Sequence, residues 1–217
     1  MTLAAFTGQL LASIARLITG AQGHWKGCPP LAEQRIYIAN HQSHFDLVLI
    51  WAAFPYDLRA QTRAIAARDY WTTSAFKRWL TTSVFNAIYV SRTRSKPDED
   101  PLEPLIEALA NGDSLVIFPE GTRSGKGFPM PFKSGIFHLA EQFPNVPLIP
   151  TWIDNVQRVM PKGEVVPVPI LCTVTFGAPI QLREGESKAD FLCRAREAVM
   201  EQRPNPEWVD RSSEHAG

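Results

Sequence analysis

The sequence predicts an α/β layered domain with a largely parallel central sheet flanked by helices, preceded by an N-terminal amphipathic helix. Short segments rich in β-branched and aromatic residues alternate with helical segments along the chain, the order that builds a parallel sheet. Ile36 to Ala39 reads as a buried strand, and 217 residues at 45% hydrophobic composition are enough to bury a full core.

The elements follow in order. On a helical wheel Leu3, Phe6, Leu10, Leu11, Ile14, Leu17 and Ile18 share one arc, with Thr2, Gln9, Ser13 and Arg16 opposite. That pattern suits a helix lying in one leaflet of a membrane or a helix docked on the core. It does not read as a secretory signal, because no positive charge precedes the apolar run and Arg16 sits inside it. No run reaches the roughly 18 uninterrupted apolar residues of a membrane span. Residues 1–22 are therefore set apart as an amphipathic segment, 23–202 as the folded domain and 203–217 as a polar tail.

Within the domain, Arg35 to Ala39 is a strand, and Ser43 is a candidate N-cap for a helix through Leu47 to Trp51. Arg63 to Ala67 is a short strand, Tyr70 to Phe85 a helix, and Ala87 to Val90 the next strand. Pro101 opens a helix that stops at Gly112, and Ser114 to Phe118 is again a strand. Ser134 to Gln142 is helical, Pro147 to Trp152 and Leu171 to Phe176 are strands, and Ser187 with Asp190 begins a last helix through Glu201.

Formal net charge is zero, which removes any global electrostatic case for nucleic acid. Locally, eight basic residues (Arg59, Arg63, Arg68, Lys77, Arg78, Arg92, Arg94 and Lys96) are interrupted only by the acid Asp69. A stretch of that kind suits an anionic partner such as a phosphate, a CoA-type thioester or lipid headgroups, or is simply a solvated face. Cys28, Cys172 and Cys193 are odd in number and widely spaced, which fits neither a metal site nor a disulfide framework and points to a reducing compartment.

Two segments carry chemistry. In Asn40-His41-Gln42-Ser43-His44-Phe45-Asp46 an imidazole and a carboxylate lie five positions apart at a strand-to-helix junction. The neutral imidazole of His41 can take a proton from a hydroxyl, while the Asp46 carboxylate fixes the ring and stabilises the imidazolium. Five positions do not align two side chains on a regular helix, so His41 must precede the helix and Asp46 must lie in its first turn. His44 reads as a spectator. In Phe118-Pro119-Glu120-Gly121-Thr122-Arg123, at the exit of a strand, Gly121 lets the backbone turn closely and Thr122 offers a hydroxyl. Arg123 can grip a phosphate with its planar fork, and Glu120 is placed to orient Arg123 or a hydroxyl.

Together these segments resemble the glycerophospholipid acyltransferase family, whose best-known members are 1-acylglycerol-3-phosphate acyltransferases. Four blocks match in the family's order: Asn40-His41-Gln42-Ser43-x-x-Asp46; Ala87 to Arg92; Phe118 to Arg123 with Phe132-Lys133-Ser134-Gly135 after it; and Val146-Pro147-Leu148-Ile149-Pro150. The resemblance implies His41 as general base with Asp46 as its partner, and Arg92, Glu120, Gly121, Thr122, Arg123 and Lys133 as acceptor-binding residues. It implies acyl-CoA or acyl carrier protein as co-substrate, no cofactor and no metal, a lysophospholipid acceptor in a membrane, and a place on the cytoplasmic face of that membrane. With no Gly-x-Ser-x-Gly elbow and no cysteine near His41 in sequence, direct transfer is the expected route, with backbone N–H groups at the helix start as candidate oxyanion donors.

The second block departs from the pattern. Ala67-Arg68-Asp69-Tyr70-Trp71 stands where many members carry Lys-x-Glu-Leu, Asn86-Ala87 where a glycine is usual, and Ser91-Arg92 where Asp-Arg is usual. The acceptor is thus open between 1-acylglycerol 3-phosphate and another lysolipid, such as a lyso-ornithine lipid. A hydrolase or thioesterase using the same His/Asp pair on water would leave Glu120 to Arg123 unexplained, and a non-catalytic lipid-binding module would have no use for the pair.

Overall fold

A computed structural model of the chain describes residues 7, 10, 13, 22–43, 45–67, 72–90, 100–124, 127–154 and 172–204. In chain order the elements are β1 (Gln22–Trp25), β2 (Ile36–Ala39), α1 (Asp46–Ala53), α2 (Tyr56–Gln61), β3 (Thr62–Ala67), α3 (Ala75–Trp79), β4 (Ile88–Val90), α4 (Glu103–Ala110), β5 (Ser114–Ile117), α5 (Gly135–Gln142), β6 (Leu148–Ile153), β7 (Thr173–Phe176) and α6 (Lys188–Glu201). The strands form one sheet in the order β1-β7-β6-β2-β5-β3-β4. Every neighbouring pair is parallel except β6 with β7, as the alternation of strands and helices predicts.

The pleat sends successive side chains to opposite faces, and both faces are covered. Tyr37 and Ala39 of β2, Val116 of β5 and Ile149 and Ile153 of β6 join the buried face of α1 and Phe54 in one core. Ile36 and Ile38, Leu115 and Ile117, and Leu148 and Trp152 join α4, α5 and α6 in the other. The central strands β2, β5 and β6 are buried along their whole length, which fixes the direction in which the loops beyond their carboxyl ends leave the sheet.

Several expectations are corrected. Ser43 is not a helix cap: α1 starts at Asp46, Phe45 precedes it in helical conformation, and the Ser43 hydroxyl accepts from the Phe45 N–H at 3.2 Å in a local turn. Of the helix expected over Tyr70 to Phe85, Tyr70 and Trp71 lie outside the described residues, and the rest holds one short α-helical stretch, α3, that widens into a π-helical turn at Leu80–Val84. The hydroxyls of Thr81 and Thr82 both donate to the Arg78 carbonyl, at 3.0 and 2.8 Å, which draws that carbonyl away from the regular ladder. Strand β1 and helix α2 were not expected. β1 has too few apolar residues to signal itself; it is held at the sheet edge by Trp25 stacked on Phe176 at 4.0 Å.

Asn86 adopts φ +50, the left-handed conformation that asparagine tolerates best after glycine. The last helix opens as expected, with the Ser187 hydroxyl accepting from the Asp190 N–H at 3.2 Å. At the N-terminus Thr7, Leu10 and Ser13 are helical and Leu10 is exposed, while the other positions of the apolar arc lie outside the described residues. Among the described residues no helix is long and apolar enough to cross a membrane.

Candidate active site

β2 and β5 are adjacent and parallel, with Ile38 opposite Ile117, so the two chemistry-bearing loops leave the same end of the sheet side by side. Carboxyl ends of neighbouring parallel strands are where open α/β sheets gather their ligands. Asn40 locks the first loop to the sheet: its side chain donates to the Ile153 carbonyl at 3.0 Å and accepts from the Ile153 N–H at 2.7 Å.

The next residue is His41, and its Nδ1 lies 2.9 Å from Asp46 Oδ2. Asp46 Oδ2 also accepts from the backbone N–H groups of Gln42 at 2.6 Å and Ser43 at 2.9 Å. Three donors thus converge on one oxygen of a carboxylate that is 1% exposed, at the positive N-terminus of α1. This is the geometry expected from the spacing, reached by wrapping residues 42 and 43 around the carboxylate. The imidazole stacks on Phe118 at 4.3 Å with the rings tilted by only 20°. With Nδ1 bound to a carboxylate, Nε2 is the nitrogen left to receive a proton.

The same wrapping narrows which N–H groups are left for an oxyanion. The N–H groups of Gln42 and Ser43 serve Asp46, Phe45 N–H serves the Ser43 hydroxyl, and Asp46 N–H serves the Ser43 carbonyl at 3.3 Å. These groups are spent on building the His/Asp pair.

Glu120 also sits elsewhere than expected. It is 1% exposed and does not orient Arg123. One carboxylate oxygen accepts from the backbone N–H of His41 at 2.7 Å and the other from that of Met130 at 2.7 Å. Burial raises its pKa above the usual carboxylate range, while the two N–H donors pull it down. Glu120 therefore ties the β5 loop to the His41 backbone. The reverse tie runs from Ser124 N–H to the His41 carbonyl at 2.8 Å.

Gly121 adopts φ +68, so the turn requires glycine, and the exposed end of the Lys133 side chain passes over it, 2.6 Å from where a Cβ would sit. Thr122, Arg123 and Lys133 are exposed beside this turn. Among the described residues nothing pairs with the guanidinium of Arg123 or the ammonium of Lys133. Arg92 lies outside the described residues, as do Arg68, Arg94, Lys96 and His44. Two members of the basic stretch are structural: Arg59 is buried with Nε donating to the Phe54 carbonyl at 3.0 Å, and Arg63 pairs with Asp113.

No cysteine is poised as a nucleophile. Burial, then Asp154 and Asp46, push the Cys172 thiol up to about 11; burial raises Cys28; and Cys193 is raised by its hydrogen bond to Glu197. All three stay protonated at neutral pH, when only a thiolate attacks efficiently.

An anchored imidazole, a buried carboxylate behind it and, on the neighbouring loop, two cations with no partner among the described residues are brought together at one end of the sheet. The acyltransferase family model matches residues 27–154, which span both loops, and the chain belongs to that family. Human 1-acyl-sn-glycerol-3-phosphate acyltransferase alpha is 32% identical over 138 residues, covering 62% of this chain and 46% of that protein. The 1-acyl-sn-glycerol-3-phosphate acyltransferase of Limnanthes alba is 27% identical over 176 residues, covering 80% and 59%. The chain thus spans about half the length of these relatives. In three dimensions the chain superposes on the crystal structure of the 1-acyl-sn-glycerophosphate acyltransferase of Thermotoga maritima with a TM-score of 0.71, covering 93% of this chain and 81% of that one. At 22% identity that likeness establishes a shared fold.

Proposed function

We infer that the protein moves a fatty acyl group from an acyl thioester, acyl-CoA or acyl carrier protein, to the free hydroxyl of a lysophospholipid, with 1-acylglycerol 3-phosphate giving phosphatidate as the first candidate. The observation that carries this reading is the His41 ring held through Nδ1 at 2.9 Å from the buried Asp46. His41 Nε2 takes the acceptor's hydroxyl proton as that oxygen attacks the thioester carbonyl. The tetrahedral intermediate collapses by breaking the C–S bond, and the imidazolium returns the proton to the departing thiolate. Asp46 stabilises the imidazolium between the two transfers. Holding both substrates at one end of the sheet supplies much of the acceleration. No serine or cysteine intermediate is needed, in keeping with the three protonated thiols.

Arg123 and Lys133 are the described cations that would meet the acceptor's anionic group, with Arg92 as a third from the sequence. The deciding experiment incubates the purified protein with lysophosphatidate, lyso-ornithine lipid and glycerol 3-phosphate, each with labelled acyl-CoA, and reads the products by mass. Release of free fatty acid at the same rate with and without acceptor would make the protein a thioesterase instead.

Arg123→Lys is expected to raise the KM for the phosphate-bearing acceptor by about 10-fold, because a point charge does not reproduce the planar fork. A phosphate-free acceptor should be nearly insensitive. Equal losses on both would move Arg123 out of anion recognition.

The acceptor resides in a bilayer, and the first twenty residues are the proposed contact with its cytoplasmic face. Full burial of a large apolar side chain is worth roughly 1.5–3 kcal/mol, an upper limit in an interface, and the arc offers several. Deleting residues 1–20, or combining Leu10→Glu with Ile14→Glu, should release the protein from liposomes. Activity should then fall on bilayer-held lysolipid and persist on a short-chain, water-soluble analogue. Equal loss on both, with a lower melting temperature, would mean that the segment packs on the core.

A further inference from the structure

The loop that carries Glu120 is gripped from outside the four family blocks, by the last helix. On α6, Arg196 directs Nε and Nη2 at the carbonyl oxygen of Pro129, at 2.9 and 2.8 Å. That carbonyl belongs to the same peptide unit as the Met130 N–H, which donates to Glu120 Oε2 at 2.7 Å. A trans peptide is planar, with its C=O and N–H pointing in opposite directions. The Pro129–Met130 peptide therefore stands between a guanidinium on one side and a buried carboxylate on the other. Each charge polarises the peptide toward the other, so the two hydrogen bonds strengthen together. The far oxygen of the same carboxylate holds the His41 N–H at 2.7 Å. Two further contacts fix the loop: the Ser124 hydroxyl donates to the Phe128 carbonyl at 2.5 Å, and the Arg203 guanidinium lies 5.0 Å from the Phe128 ring centre.

We propose that Arg196 is a positioning residue for the acyl transfer, setting the His41 backbone through the Pro129–Met130 peptide and Glu120. The proposal rests on His41 being the base of the reaction inferred above, but the geometry can be tested without that reaction. Arg196 touches no reacting atom. Its effect passes through a carboxylate that is costly to keep ionised: burial raises the Glu120 pKa, and the Met130 and His41 N–H groups oppose that rise. The titratable groups acting on Glu120 are His41 from the β2 exit and Asp46 from α1. Loosening the Met130 bond leaves the carboxylate less stabilised, so its pKa rises further and Glu120 takes up a proton at a higher pH.

The test compares Arg196→Ala, Arg196→Lys and Arg194→Ala in the full chain. Arg194, two residues away on α6, pairs with Glu186 at 2.6 Å and does not touch the loop, so its removal controls for general loss of helix stability. Arg196→Ala is expected to lower kcat by about 10-fold or more with KM for the acceptor within about twofold, because misplacing a catalytic group affects the chemical step. The acid limb of its rate profile should move to higher pH. Arg196→Lys, which can still donate to the Pro129 carbonyl, should recover most of kcat, and Arg194→Ala should lose melting temperature but neither kcat nor the acid limb. Independently of any activity, amide hydrogen exchange at Met130 should accelerate in Arg196→Ala and not in Arg194→Ala. Unchanged exchange at Met130 overturns the proposal, as does a kcat loss equal in Arg196→Ala and Arg194→Ala with no shift of the acid limb. A wild-type protein that transfers no acyl group to any hydroxyl would instead remove the functional reading, with the exchange result still deciding the loop.

Discussion

His41→Ala is expected to lower turnover by about 10²- to 10⁴-fold, the span over which a positioned general base contributes. The effect should fall on kcat. Arg123 and Lys133, proposed to hold the acceptor's anion, lie on the neighbouring β5 loop, so the KM for the acceptor should change little. The fold should survive, because the ties that organise the loop use the backbone of residue 41: its N–H reaches Glu120 and its carbonyl receives Ser124 N–H, and alanine keeps both. Only the ring, stacked on Phe118, is lost, leaving a cavity at the loop surface in place of a catalytic group. The measurement is acyl transfer from labelled acyl-CoA under saturating acceptor, with circular dichroism to establish folding. Near-normal turnover in a folded variant would remove His41 from the mechanism.

The way this site is built explains what the sequence could and could not disclose. The pairing of His41 with Asp46 was legible because it depends on local spacing: five residues cannot align on a helix, so the ring had to precede it and the carboxylate had to open it. The positions of β2, β5 and β6 were legible for a similar reason, since runs such as Ile36 to Ala39 have no polar face to show to water. What failed was what depends on distant partners. Ser43 looks like a cap because it precedes an apolar run, yet the helix opens only at Asp46, and the Ser43 hydroxyl accepts from the Phe45 N–H in the turn before it. Glu120 looks like a surface ligand because it neighbours Arg123, and nothing in its own segment shows that residues 41 and 130 bring it two N–H donors. The basic stretch reads as one patch only in sequence; folding buries Arg59 and pairs Arg63 with Asp113. Arg196 carried no signal at all, being one of several charged residues on an amphipathic helix, and its meaning comes from the Pro129 carbonyl 67 residues away.

Asp46→Asn is the second large effect, and the structure shapes its expected size. In other His/carboxylate pairs an amide can reverse the imidazole tautomer by presenting its NH₂ to Nδ1, which disables the base. Here two backbone N–H groups, from Gln42 and Ser43, point at the same oxygen that faces His41 Nδ1. They would repel an NH₂ group and select the rotamer that places the amide oxygen there. The variant should therefore keep the correct tautomer, lose the negative charge that stabilises the imidazolium, and place its NH₂ where the buried Oδ1 has no hydrogen-bond partner. Turnover is expected to fall by about 10²-fold, a smaller loss than the roughly 10⁴-fold of a reversed tautomer. A moderate loss of stability should accompany it, because the charge at the start of α1 is worth about 0.3–1 kcal/mol against the helix dipole. Asp46→Ala should be worse on both counts, since it leaves the Gln42 and Ser43 N–H groups unpaired at a cost of about 1–3 kcal/mol each where they are buried. Turnover with saturating substrates, read beside thermal unfolding of the three proteins, checks the order wild type, Asn, Ala. If Asp46→Asn falls as far as His41→Ala, the amide has reversed despite the two N–H groups. If it keeps full turnover, the carboxylate's charge has no part in the reaction and Asp46 serves only to shape the loop.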